Sequence, residues 1–144
     1  MNIYLDINGV LLANESCAAN FADEFLQAVL ETYPETTYWL TTHTRRGENK
    51  ATQVLAPYLK PETVGLLDRV KSTEWCELKT DAINFEEDFI WFDDDLWPQE
   101  LKVLEKHEAL EHFIMVDLDK DPDILQKLAQ VVVDSKPRNT DSSQ

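Results

Sequence analysis

The sequence predicts a single α/β domain, a parallel sheet with helices on both faces, and three observations lead there. Short apolar runs of strand-forming residues alternate with stretches whose hydrophobic residues recur at three- and four-residue steps. At 144 residues the chain has the commonest size of one domain, and hydrophobic residues at 43% are enough for one core. No internal repeat or low-complexity segment competes with the alternation. Strands separated by helices are expected to pair in parallel through right-handed crossovers.

The elements follow in order. Asn2-Ile3-Tyr4-Leu5 is an apolar run halted by Asp6-Ile7-Asn8-Gly9, a buried strand running into a turn. From Asn14, the spacing of Ala18, Phe21, Phe25, Ala28 and Val29 predicts an amphipathic helix to Tyr33, capped by Asn14 or Ser16. Residues 36–41 read as a second strand and 50–59 as a second helix. Residues 62–78 have no clear period. A brief helix is predicted over 79–84, and the strongest strand of the chain over 88–92, ending in Asp93-Asp94-Asp95. A helix over 99–108, a strand over 112–116 and a closing helix over 121–133 complete a domain spanning 1–134. Residues 135–144 read as a polar, disordered tail.

Thirteen basic against 28 acidic residues leave a net charge of −15. That field repels nucleic-acid phosphates and anionic membranes, so neither is an expected partner. Cys17 and Cys76 form no CxxC pair and read as buried or incidental thiols. The first strand meets Asp6 too soon for a secretory core, and no run approaches the roughly 18 apolar residues of a membrane span. A cytoplasmic location is the expectation.

Ligands of parallel sheets bind beyond the carboxyl ends of the strands. Three predicted strands end in residues of complementary chemistry, namely Asp6, Thr41-Thr42 and Asp93-Asp94. Carboxylates converging there repel one another unless a cation intervenes. All-oxygen donors favour magnesium, which takes one or two carboxylates and substrate phosphate. Asp117-Leu118-Asp119-Lys120-Asp121 begins like a calcium loop, but Pro122 and Leu128 stand where that loop needs Gly and Glu.

Tyr4-Leu5-Asp6-Ile7-Asn8-Gly9-Val10 resembles the first motif of the haloacid dehalogenase (HAD) superfamily, apolar residues followed by Asp-x-Asp-Gly-Thr/Val. Trp39-Leu40-Thr41 is similar to the second motif, Lys79 before a short helix to the third, and Phe89-Ile90-Trp91-Phe92-Asp93-Asp94 to the fourth. The resemblance runs from residue 2 to about residue 118. It implies a three-layer, Rossmann-like fold and a phosphohydrolase in which Asp6 is the nucleophile. It further implies Mg2+ held by Asp6, the backbone carbonyl of Asn8, Asp93 and Asp94, with Thr41, Thr42 and Lys79 on the phosphoryl oxygens. The short spans from Asn8 to Thr41 and from Thr41 to Lys79 leave no room for a sizeable cap domain, so an open site is expected, suited to a phosphate on a large partner.

The resemblance breaks at Asn8. Hydrolytic members carry an Asp there, which protonates the leaving group and then activates water; an amide does neither. Such acid–base help is worth about 10²–10⁴-fold in rate. The alternative expectation is therefore a catalytically weakened metal- and phosphate-binding or regulatory module. His43 is a candidate stand-in proton donor or substrate contact, and Arg45-Arg46 a local basic pair at the same strand end. Trp97 reads as core rather than as a wall of the pocket.

Overall fold

The computed structural model describes residues 1–14, 16–47 and 49–136, with the backbone alone for 45–47. The chain opens with β1 (Asn2–Leu5), followed by an antiparallel pair, β2 (Leu12–Asn14) and β3 (Cys17–Ala18), and helix α1 (Ala22–Thr32). Next come β4 (Thr37–Trp39), a 3₁₀ segment (Thr42–Gly47), and the short helices α2 (Ala51–Leu55) and α3 (Pro61–Val64). A 3₁₀ turn (Lys79–Ala82), β5 (Phe89–Asp93), α4 (Pro98–Lys106), β6 (Phe113–Met115) and α5 (Ile124–Ser135) complete it.

The predicted α/β class holds: β4-β1-β5-β6 form a four-stranded, wholly parallel sheet, consistent with a Rossmann-like fold. Both faces are covered, because alternate residues of the strands point to opposite sides. Ile3, Leu5 and Phe92 join Phe25 and Leu30 of α1 and Leu125 and Val132 of α5 in one core. Tyr4, Phe89 and Trp91 join Leu104 of α4 and Trp75 in a second. The Phe25 and Phe92 rings meet edge to face at 5.2 Å, pinning α1 to the centre of the sheet.

Three expectations change. The helix expected from Asn14 begins at Ala22. Asn14 caps nothing helical: its Oδ1 accepts from the backbone N–H and the hydroxyl of Ser16, a local turn that competes with helix, and the flanking residues pair as β2 and β3. The stretch 50–59 divides into α2 and a 3₁₀ turn at Ala56–Tyr58, since Pro57 supplies no N–H to continue the ladder. Ser135, expected in the tail, is the last residue of α5, where its Oγ bonds the Val132 carbonyl and the Tyr33 hydroxyl. Of the two readings of Cys17 and Cys76, buried or incidental, their exposure leaves the second. Of the expected tail, residues 137–144 lie outside the described residues.

The aperiodic stretch before Lys79 proves to serve the sheet edge. Lys71 pairs in parallel with β4, its carbonyl accepting from Trp39 N–H at 2.7 Å and its N–H donating to Thr37 O at 3.0 Å. Thr73 Oγ1 donates to Trp39 O at 2.6 Å. This attachment leads Trp75 and Lys79 to the carboxyl end of the sheet. There β1 leads outward to β4 while its neighbour β5 leads the other way to β6, so a crevice opens between β1 and β5. No described helix is long and apolar enough to cross a membrane.

Phe92→Ala should lower unfolding stability by about 3–5 kcal/mol, because it removes a ring that sheet and helix close on. Denaturant unfolding checks this; a loss below about 1 kcal/mol would show that α1 is held by other contacts.

Candidate functional site

Asp6 and Asp93 meet because they end adjacent, in-register strands. Leu5 pairs with Phe92, and Asp6 N–H donates to the Phe92 carbonyl at 3.1 Å. The turn after Asp6 folds tightly: the Ile7 carbonyl accepts the N–H groups of Val10 and Leu11. Gly9 makes that turn with φ +79°, a conformation that side chains disfavour. A Cβ at Gly9 would overlap the carboxylate of Asp94, so the glycine also clears the space that Asp94 fills. Asp6, Asp93 and Asp94 each bring one oxygen within 4.8 Å of the others, a group able to hold a metal ion.

Lys79 is the counter-charge. Its Nζ lies 2.7 Å from Asp93 Oδ2 and 3.4 Å from Asp6 Oδ1. Asp93 accepts four hydrogen bonds: Lys79 and Trp91 Nε1 (3.2 Å) on Oδ2, and the N–H groups of Asp94 (2.8 Å) and Asp95 (3.3 Å) on Oδ1. A carboxylate has about four acceptor positions, so these bonds fix the orientation of Asp93.

Two positioning residues are not evident from the sequence motifs. Glu100, almost fully buried, accepts Lys79 N–H on Oε2 at 2.9 Å and Trp97 N–H on Oε1 at 3.0 Å. It thereby ties the start of α4 to the turn that carries Lys79. The available signal was its place in the third position of a helix starting at Pro98, where Glu reaches back to the cap residue. Trp91, to the sequence only a strand residue, steadies Asp93 through its indole N–H.

Electrostatics follow from crowding. Burial, then the Asp6 charge, push the Asp93 carboxyl up to about 9, against the pull of Lys79. Asp94 also moves up, first through burial. Burial opposes the charge on Lys79, but Asp6 and then Asp93 outweigh it, and the ammonium holds its proton more tightly than usual. Three acids with one ammonium lack a positive charge, and the all-oxygen donor set suits a hard divalent cation.

The remaining candidates sort around this centre. Thr41 is fully buried beside the end of β1, where Leu40 N–H bonds Leu5 O, and its Oγ1 accepts His43 N–H at 3.4 Å. Thr42 lines a cavity of about 580 Å³ that also takes in Asp6, Lys79, Asp93 and Asp94. Asn8 Nδ2 lies 3.1 Å from His43 Nε2, joining two residues that stand 35 positions apart in the chain. Trp97, expected in the core, is 52% exposed and walls the cavity, because Pro98 starts α4 directly behind it. The side chains of Arg45 and Arg46 lie outside the described residues. Comparison with protein-family models, curated proteins and solved structures finds no match.

A carboxyl that binds its proton more tightly folded than unfolded stabilises the fold at low pH, and this contribution fades as pH rises through the folded value. For Asp93 the window runs from about 4 to about 9. In EDTA, the melting temperature of the wild type should fall across that window relative to Asp93→Asn. Parallel profiles would refute the crowding.

Proposed function

We propose that this chain is a magnesium-dependent phosphohydrolase of HAD type acting through an aspartyl-phosphate on Asp6. The observation that carries the reading is the convergence of Asp6, Asp93 and Asp94 within 4.8 Å, beside Lys79, in one cavity. Motif residues from opposite halves of the chain thus share one place. A purely structural role for the strand-end acids, in which each merely caps a turn, does not account for that convergence.

Magnesium would be held by Asp6, the Asn8 carbonyl, Asp93 and Asp94, and would offset phosphoryl charge; Asp93 also anchors Lys79. The Asp6 carboxylate attacks phosphorus; the bond to the ester oxygen breaks, its electron pair leaving with that oxygen, which takes a proton from solvent water to become the alcohol. Lys79 and the Thr41–Thr42 segment meet the phosphoryl oxygens as charge develops. Water then attacks phosphorus, releasing phosphate and restoring Asp6.

A second reading, a weakened metal- and phosphate-binding or regulatory module, is favoured by one feature. Asn8 carries no acid proton, and its amide nitrogen is engaged with His43.

With magnesium, the protein should release phosphate from an aryl phosphate, and Asp6→Asn should lower the rate at least about 10³-fold. Magnesium-dependent binding of beryllofluoride without turnover of any ester would support the second reading instead. Asn8→Asp should raise turnover by about 10²-fold or more if the missing acid is the limit. A fall in rate would mean that Asn8 serves a chemistry of its own.

A further inference from the structure

The cavity extends past the carboxylates to a wall of two tryptophans. Trp75 is nearly buried, whereas Trp97 is 52% exposed. Leaving that much indole in water is unfavourable, and a ligand that covers it recovers the loss. Glu77 and Asp95 stand exposed on the same cavity, and the ion pairs seen among the described residues involve neither. Lys79 is the one described cation of the lining and is already committed to Asp6 and Asp93.

An anionic substituent on a substrate would face Glu77 and Asp95 unscreened. A neutral aromatic one would use the indoles and leave the acids idle. An alkylammonium uses both, since an indole face attracts a cation and a nearby carboxylate adds to the attraction. The net charge of −15 draws such a group in from a distance.

We propose that Trp97, Glu77 and Asp95 form a subsite for an organic ammonium group, so that the ester this chain hydrolyses is a phosphomonoester of an amino or quaternary-ammonium alcohol. The ester rests on the phosphohydrolase reading; recognition of the cation stands on the cavity alone. One continuous space reaches both Lys79 and Trp97, so phosphate and cation belong to a single small molecule.

The test uses the full chain and choline as probe. Choline binding is followed by tryptophan emission and by calorimetry, beside its uncharged isostere with carbon in place of nitrogen. Phosphocholine and an aryl phosphate are compared as substrates with magnesium. Choline should bind at least about tenfold more tightly than the isostere, more weakly at high salt, and should inhibit phosphocholine turnover. Trp97→Ala should raise its dissociation constant about 3- to 30-fold. The double variant Glu77→Gln/Asp95→Asn, which spares the tryptophans, should weaken choline and leave the isostere unaffected. Equal binding of choline and isostere would overturn the proposal. So would turnover of the aryl phosphate with no choline binding, which would leave the phosphohydrolase reading intact. Choline binding without turnover of any ester would support the subsite and sink that reading.

Discussion

The structure depends on how three carboxylates are kept together at the ends of two adjacent strands. Parallel pairing of β1 with β5 brings Asp6 beside Asp93, and the tight turn at Gly9 admits Asp94. Each approach raises the repulsion among them, and burial raises it further by removing water. One ammonium, Lys79, offsets part of this. The arrangement is electrostatically unfinished, which is the ground for the cation and the phosphate ligand proposed above.

Lys79 is held in place by a chain of neighbouring groups. Its backbone is fixed by Glu100, its side chain by Asp93, and Asp93 in turn by Trp91 and two backbone amides. The segment that delivers Lys79 is steered to the sheet by Lys71 and Thr73 along the edge of β4. Because these links converge on one side chain, the ammonium has little freedom to move when a ligand enters. Preorganisation of this kind is what the proposed stabilisation of a transferring phosphoryl group requires.

Asn8 and Trp97 set this site apart from a generic acid-and-lysine pocket. Asn8 sits where proton transfer is expected, yet its amide turns to His43. Trp97 projects over a cavity with more acid around it than the cluster itself uses. On the proposed reading, the first limits the chemistry, and the second gives it a direction toward cationic ligands.

The sequence by itself determined the alternation of strand and helix, the acids and threonines at the strand ends, and the glycine among them. These are local facts: two- and four-residue periodicities, and turn residues that halt apolar runs, are written in neighbouring positions. Residues 14–21 mislead at that level, because Asn14 and Ser16 bond each other and pairing of β2 with β3 overrides a helical spacing. Only the tertiary structure decided that Glu100 braces Lys79, that Trp91 and two backbone amides hold Asp93, that Asn8 meets His43, and that Trp97 faces solvent. Each of these joins residues whose separation along the chain carries no periodic signal, or turns on a side chain's last few ångströms, which chain packing sets and local propensity does not.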